Sequence, residues 1–366
     1  MKIKNPGFKI LDRYIMRKFL GTYVFAIGLI IVIVVIFDAV EKIDDFVELK
    51  APLSQIVFGY YLNFIPYFIN QFSGLFTFIA VIFFTSKLAY QTEIVAILSS
   101  GMSFRRFMWP YFLSASVITV LALVLSLIVI PPANNRRLEF ESHYLKKNRN
   151  IQYERHIFRQ IYPGTFAYIR DYSGSTNQAR YLSIEHFEEN QITEVMEASD
   201  VTFDPKTRRW SAAKYITRTI DGDAEVFEKH TDLDTLMNIE ATELGRVEKL
   251  VETMNIVELN RFIRQQKAKG SDMISYFEVE RAQRFSYPVS TFILTLIGVS
   301  LSSRKVRGGT GLHIGIGITL CFSYILFAKF TEEFAKGGVL SPVLAVWIPN
   351  IIFAAIAIYL YRKAPK

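Results

Sequence analysis

The chain has 366 residues, of which 51% are hydrophobic and 14% aromatic, and its mean hydropathy is +0.23. A soluble domain of this length is less apolar, so the composition favours a membrane protein. The formal charge is +8, but the basic residues gather at the ends of apolar segments, which indicates membrane topology rather than a nucleic-acid-binding face. The single cysteine, Cys321, excludes a disulfide framework.

Six apolar segments are long enough to cross the hydrocarbon layer, which takes a helix of about 20 residues. The first follows a basic N-terminus and lacks the short apolar core and cleavage site of a signal peptide, so it is predicted to be a retained span. The predicted spans lie near residues 19–38, 55–86, 107–131, 285–303, 310–331 and 342–361.

Lysine and arginine in the short loops predict the orientation of these spans. The N-terminal flank, the loop 87–106, the loop with Arg304, Lys305 and Arg307, and the C-terminal tail are all basic. The stretch AVEKIDDFVELK and the loop after span five are acidic on balance. Both termini are therefore predicted to be cytoplasmic.

A polar insert, residues 132–284, separates spans three and four on the non-cytoplasmic side. Runs such as TFAYIRDY and ARYLSIEHFEEN alternate with a period of two and are separated by turn residues. Residues 132–255 are therefore predicted to form a sandwich or barrel-like β domain. A helical linker is predicted at 256–284, with Asn255 or Thr253 as its cap and Gly270 ending its helix. The candidate core residues are Tyr168, Ile169, Tyr181, Leu182, Ile184 and Phe187.

The chain shows no catalytic motif. It has no HExxH, GxSxG or Walker A sequence, and its five histidines show no zinc-ligand pairing. We therefore predict that the protein is not an enzyme and has no metal site.

The stretch KLAYQTEIVAILSSGMSFRR, residues 87–106, is half polar between two apolar spans. It predicts a short helix over 88–101 that carries one acid, Glu93, and ends at Gly101. Arg105 and Arg106 would then anchor span three at the lipid headgroups. One interpretation is a connector lying on the bilayer; the other is a coupling helix that docks into a motor protein. The apolar side of this helix consists of Ile94, Val95, Ile97 and Leu98.

Polar residues inside or near the spans suggest a wet cavity. They are Asn63, Asn70 and Gln71 in span two and Lys329, Glu332 and Glu333 near the end of span five. A simpler interpretation is that Lys329 pairs with Glu332 or Glu333 and extends to the interface. Span two also carries phenylalanines every four residues, which suit helix packing or a wall for acyl chains: Phe64, Phe68, Phe72 and Phe76.

Over almost its whole length the chain resembles the LptF/LptG permease family of the lipopolysaccharide export transporter. The resemblance rests on LDRYI before span one, TEIVAILSSGMSFRR after span two, FDPKTRRW in the insert, and YPVSTFILTLIGVSLSS and RGGTGLHIGIGITLCFSYILF in spans four and five. LDRYI and the Asp204-Pro205-x4-Trp210 pattern look more like the LptG branch.

The resemblance implies an ABC exporter in which this chain pairs with a second, LptF-like six-span permease. An LptB-like cytoplasmic ATPase dimer would drive it, so ATP is used by that partner and no cofactor is implied in this chain. The family's coupling glutamate falls on Glu93, beside Thr92 and Ile94. The insert would be a jellyroll that passes lipid to an LptC/LptA-like periplasmic bridge.

In the family, lipid enters between span one of one permease and span five of the other. LptG members hold lipid phosphates with a basic patch at the outer end of span one, where this chain reads FDAVEKIDD and only Lys42 matches. Acidic neighbours there would repel phosphates. The residues expected to contact lipid are Phe37, Lys42, Phe68, Phe72, Phe327 and Lys329.

The predicted architecture is therefore an α-helical membrane protein, three spans plus three, with an inserted periplasmic jellyroll-like β domain. Its parts are residues 1–131, with a coupling helix at 88–101, then 132–255, 256–284 and 285–366. The predicted function is that of a lipopolysaccharide export permease in the bacterial inner membrane. The alternatives are a membrane-anchored β domain that binds a periplasmic ligand or partner and, more weakly, a membrane enzyme acting on lipid.

Overall fold

The computed structural model describes residues 10–145, 153–154, 157–173, 176–189, 191–204, 207–222, 224–237, 247–268, 271, 273–303 and 309–364. Within them, six helices are long and apolar enough to cross a membrane. Each coincides with one predicted span and extends beyond it at one or both ends, so the multi-pass prediction is confirmed. They are α1 (Ile10–Glu48), the helix Gln55–Tyr90, the helix Phe104–Tyr144, α8 (Ile274–Ser302), α9 (Gly309–Lys336) and α10 (Pro342–Lys363).

Two of these long helices contain π-helical segments. The second consists of a π-helix, Gln55–Tyr61, and α2 (Leu62–Tyr90); the third consists of α4 (Phe104–Val124), a π-helix at Leu125–Val129, and α5 (Ile130–Tyr144). The Asn63 side chain donates to the carbonyls of Phe58 and Gly59, both at 2.8 Å, and so satisfies backbone groups of the first π segment.

The remaining helices are short. α3 (Glu93–Ser99) lies between α2 and α4, while α6 (Val247–Thr253) and α7 (Ile256–Ala268) connect the β region to α8. Asn255 is the cap of α7, as predicted: its Oδ1 accepts from the backbone N–H groups of Val257 and Glu258, and the Glu258 carboxylate accepts from the Asn255 N–H. The predicted end at Gly270 lies outside the described residues.

Two of the apolar clusters between the helices lie on either side of α2 and α8. One joins α1, α2, α3 and α4 through side chains such as Phe19, Phe84 and Tyr111. The other joins α2, α8, α9 and α10 through Phe78, Leu294 and others. In the most apolar window of α1 only 17% of residues are buried, against 67% for the second long helix, so α1 lies at the side of the bundle.

The close approach of α8 to α2 depends on Gly298. A Cβ at this position would stand 2.8 Å from Cγ1 of Val81, a stiff β-branched side chain. We expect Gly298→Ala to destabilise the protein by about 1–3 kcal/mol, the usual cost of overpacking a core. The measurement is the midpoint of thermal unfolding in detergent.

The matched control is Gly28→Ala in α1, where a Cβ meets nothing within 4 Å. Its midpoint should stay the same or rise slightly, because alanine favours helix over glycine. Equal midpoints for the two variants would contradict this account of the α2–α8 contact.

The insert forms one antiparallel sheet. Its strands are β1 (Tyr153–Glu154), β2 (Ile157–Tyr162), β3 (Thr165–Ser173), β4 (Gln178–Glu188), β5 (Gln191–Asp204), β6 (Arg209–Asp221) and β7 (Ala224–Leu236). The order is β1-β3-β4-β5-β6-β7, and β2 pairs with β3 in the same register as β1. The inserted β domain is thereby confirmed, as a meander in which the described strands from β3 to β7 pair in chain order. The strands occupy residues 153–236, so the predicted segment 132–255 also includes α5 and α6.

One face of the sheet carries an apolar core. Ile169 pairs with Leu182 in register and both are fully buried, and Ile184 packs against the same core, as predicted. The prediction was wrong for Tyr168 and Tyr181, because alternation along β3 and β4 places them on the opposite face, with their ring centroids 6.0 Å apart. Phe187 follows a bulge and contacts the exposed Phe166 ring.

In the FDPKTRRW stretch, the described residues at its two ends belong to β5 and β6 and pair beside this core, while Pro205 and Lys206 lie outside the described residues. Phe203 pairs in register with Trp210, which is fully buried. Thr207 donates to the Asp204 carboxylate at 2.9 Å, and Arg208 adopts a left-handed conformation, with φ 58°. The motif therefore has a structural role in turning β5 into β6.

Candidate functional site

The predicted coupling helix is shorter than expected. α2 continues to Tyr90, and Thr92 adopts a left-handed conformation (φ 60°) that turns the chain into α3 at Glu93. The Thr92 hydroxyl donates to the Gln91 carbonyl at 2.6 Å. Gly101, with φ +86°, follows the helix and its N–H donates to the Leu98 carbonyl, as expected of a helix stop.

α3 is fixed to the bundle by one side chain in particular. Ile94 is 1% exposed and belongs to the cluster that joins α1, α2 and α4, while Ile97 and Leu98 pack against that cluster more loosely. Val95, predicted on the same apolar side, is 53% exposed. The helix therefore presents Glu93 and Val95 outward on a rigid base.

Glu93 is held by the first helix. The Tyr14 hydroxyl of α1 donates to a Glu93 carboxylate oxygen at 3.2 Å. A hydrogen bond to a carboxylate restricts its orientation. The position of Glu93 thus depends on α1 as well as on α3.

A second link from α1 runs to α4. Arg106 donates through Nη1 and Nη2 to the two oxygens of Asp12, at 2.7 and 2.6 Å. Arg106, expected with Arg105 to anchor span three at the headgroups, has its guanidinium held in this bidentate pair, while Arg105 is exposed; the anchoring itself stays a prediction. Asp12 and Tyr14 lie in the LDRYI motif, and these two contacts give that motif a physical role.

At the opposite end of the bundle, polar side chains line a cavity of about 250 Å³. Asn70, Gln71, Lys329 and Glu332 line it, as predicted for a wet cavity, together with groups from α5, α6 and α8. Asn63 does not; it serves the π segment instead.

Glu332 is the carboxylate that pairs with the lysines of this cavity. It is 5% exposed and accepts hydrogen bonds from Lys329 at 2.7 Å and from the Tyr287 hydroxyl at 3.2 Å. Lys336 also lies 2.7 Å from it. The pairing of Lys329 with Glu332 matches the simpler interpretation of this lysine, while its side chain remains 48% exposed.

A polar network beside the cavity fastens α6 to the long helices. Arg284 of α8 donates to the carbonyls of Met254 at 2.7 Å and Val251 at 3.0 Å. On the α5 side, Lys249 lies 3.0 Å from Glu141. The return path from the sheet is thereby fixed to both α5 and α8.

Glu252 in this network provides a pH test. Burial, and then the neighbouring Glu280 carboxylate, raise its pKa from 4.5 to about 7, although Arg137 and Lys249 oppose this. The native state therefore binds a proton that the unfolded chain releases, and this group's contribution to stability is present below about pH 4.5 and declines as the pH rises to about 7. We expect Glu252→Gln to unfold at a higher temperature than the original protein at pH 8, with a smaller difference at pH 5.

The measurement is the thermal midpoint in detergent across that pH range. The control is Glu194→Gln on the exposed side of β5, which should leave the pH profile unchanged. Parallel profiles for Glu252→Gln and the original protein would contradict the prediction.

Lys42, the basic residue expected to meet lipid phosphate, has partners within the chain. Its ammonium contacts the Asp38 carboxylate and the Tyr60 hydroxyl, and lies over the Tyr60 ring, 4.7 Å from the centroid. Tyr61 also donates to Asp38, at 3.1 Å. A lipid phosphate would therefore compete with Asp38 for this lysine.

The other residues expected at lipid lie on separate faces. Phe37 on α1 is 73% exposed. Phe68 and Phe72 are half-buried with ring centroids 4.7 Å apart and pack against the α1–α4 cluster, whereas Phe327 packs against the cluster of α9 and α10. Phe72 and Lys329 nevertheless line one small cavity of about 70 Å³ between α2, α8 and α9.

Several residues of these sites were not singled out from the sequence. The sequence identified Asp12 and Tyr14 only as part of the LDRYI motif, and it did not identify Asp38, Glu252, Arg284 or Tyr287. For Asp12 and Tyr14, the available signal was an acid and a tyrosine two residues apart at the start of a span. The others depend on contacts between distant segments, such as the one between Tyr287 and Glu332.

The family model for the lipopolysaccharide export system permease LptF/LptG matches residues 13–363. No curated protein matches the chain significantly. The matched residues run from the first turn of α1 to the end of α10 and include α3 and the whole sheet. The chain therefore belongs to the LptF/LptG family of lipopolysaccharide export permeases.

Proposed function

We propose that this chain is a permease subunit of an ABC exporter that extracts lipopolysaccharide from the bacterial inner membrane. It would pair with a second, LptF-like permease, and an LptB-like ATPase dimer would supply the energy. The motifs LDRYI and Asp204-Pro205-x4-Trp210 favour the LptG position in that pair. The chain needs no cofactor of its own, because the partner hydrolyses ATP.

The proposed orientation has both termini in the cytoplasm and the sheet in the periplasm. It is supported by the basic residues at the α3 end of the bundle, such as Arg13, Arg17, Arg105 and Arg362. In this orientation α3 faces the ATPase, and β7, the last strand in the order of the sheet, is available to a periplasmic LptC/LptA-like bridge protein.

The observation that carries the proposal is the arrangement of α3. This seven-residue helix stands between two long helices, is anchored by Ile94 and presents Glu93 on its outer side. A carboxylate held in this way suits a basic residue in a partner's groove. Thr92, Ile97, Leu98 and Gly101 shape the helix and its ends, and Arg105 adds charge beside it.

The lipid path is proposed to lie between two permeases. Phe37 and Lys42 on α1 would face α9 of the partner permease, while Phe327 and Lys329 on α9 would face its α1. Phe68 and Phe72 on α2 would form a wall behind α1. In this proposal the lipid-contacting residues of one path come from both permeases.

The test is to purify the tagged chain from its own membranes in mild detergent and to identify every stoichiometric partner by mass. An ABC ATPase together with a second six-span permease is the expected result. Recovery of the chain alone, from membranes in which other complexes survive the same detergent, would overturn the proposal and favour an anchored β domain that binds a periplasmic ligand.

A further inference from the structure

The first turns of α1 carry a basic groove that the proposed export mechanism does not use. It has a volume of about 680 Å³ and lies along α1, with Phe83 of α2 closing its apolar end. Arg13, Arg17 and Lys18 line it at one end, and Gly21, Phe25 and Phe83 line it further along. Its walls thus change from cationic to apolar along the helix axis.

The cations of this groove are accessible to a ligand, and Lys18 also lies over the Tyr14 ring, 6.0 Å from its centroid. Arg13, Arg17 and Lys18 are exposed, and within the described residues none of them forms an ion pair. By contrast, Arg106 at the same end of the bundle is held by Asp12. Tyr14, also in the groove wall, donates to Glu93, and the described residues that line the groove include three cations and no acid.

The apolar part of the groove favours an anionic lipid over a small inorganic anion. Phe25 is 71% exposed and Phe83 56% exposed, and a Cβ at Gly21 would meet nothing within 4 Å. At 1.5 Å per residue, Phe25 lies about 18 Å along the axis from Arg13, roughly the distance from a headgroup into the acyl layer. A small inorganic anion would leave this apolar surface uncovered, whereas a phospholipid would cover it.

We propose that this groove binds an anionic phospholipid of the cytoplasmic leaflet. Arg13, Arg17 and Lys18 bind the phosphate, and an acyl chain lies along Gly21, Phe25 and Phe83. Basic pockets between membrane helices on the cytoplasmic side suit such headgroups. The proposal rests on the orientation given under the proposed function.

The test measures lipid binding to the full-length chain by native mass spectrometry, with phosphatidylglycerol and phosphatidylcholine as probes. The triple variant Arg13→Gln, Arg17→Gln, Lys18→Gln is expected to bind phosphatidylglycerol at least tenfold more weakly. A matched triple variant, Lys87→Gln, Arg362→Gln, Lys363→Gln, removes the same charge from other helix ends at this side and should bind normally. Equal losses in both would overturn the site, because basic residues flank the spans of any such protein.

A second variant tests the acyl part without altering charge. Gly21→Leu fills the open floor of the groove and is expected to reduce phosphatidylglycerol binding as strongly as the triple variant. Soluble glycerophosphoglycerol should not compete; if it does, and Gly21→Leu binds normally, the groove is an anion site and the lipid proposal is wrong. These readouts do not depend on recovery of the ATPase, so the proposal and the export function fail separately.

Discussion

Replacing Glu93 by lysine is expected to abolish lipopolysaccharide export while leaving the fold of the chain intact. The carboxylate stands at the surface of α3, and no buried contact of that helix depends on it, since Ile94 supplies the anchor. Removing one partner of a hydrogen-bonded charge pair at an interface costs about 2–5 kcal/mol. Binding of the ATPase should therefore weaken by about two orders of magnitude. The measurements are recovery of the ATPase with the tagged chain and the arrival of lipopolysaccharide at the cell surface.

Two further variants test whether the effect comes from losing the Glu93 carboxylate or from adding a positive charge to this part of the chain. Gln91→Lys adds a cation two residues away and keeps Glu93, so export should continue. Tyr14→Phe removes only the hydroxyl that contacts Glu93 at 3.2 Å, and a smaller loss of ATPase binding is expected. Normal export by Glu93→Lys, with the ATPase still bound, would refute the coupling role of α3.

Replacing Arg106 by alanine is expected to destabilise the membrane domain by about 1.5–3 kcal/mol, the usual worth of hydrogen bonds to a charged group. The Asp12 side chain is 6% exposed and loses both of its bonds to the guanidinium. The packing of α1 against α4 should loosen as a result. Thermal unfolding in detergent measures the change.

Arg105→Ala is the matched control, because its neighbouring guanidinium is exposed and in no ion pair within the described part of the chain. Its midpoint should barely change. The double variant Asp12→Ala, Arg106→Ala should recover part of the stability lost by Arg106→Ala, since it leaves no buried carboxylate behind. Equal midpoints for Arg105→Ala and Arg106→Ala would contradict the prediction.

The long helices could be predicted from the sequence because their signal is local. A helix that crosses lipid satisfies its own backbone, so an apolar run of sufficient length is enough to locate it. The alternation in β3 and β4 located the sheet for the same reason. It did not tell which face is the core, so Ile169 was assigned correctly and Tyr168 was not.

The candidate site could be predicted only where one segment carries it. Gly101 ends α3 through its own backbone conformation, and this was readable from the sequence. The partners of Glu93 and Arg106 lie 79 and 94 residues away, so they could be found only when the helices were placed side by side. The partner of Lys42 could not be predicted either, because Tyr60 contacts it from the next long helix.

The third long helix has a mechanical consequence. It runs through 41 residues from Phe104, next to the Asp12–Arg106 pair, to Tyr144, nine residues before the first strand in the chain. At about 1.5 Å per residue this helix, which includes the π-helical segment Leu125–Val129, is roughly 60 Å long. On the proposed function, a tilt imposed at the α3 end by the ATPase would be carried along this helix as far as Tyr144. On the same proposal the helix would also transmit force in reverse, so a force applied to the Tyr144 end would act on the α3 end.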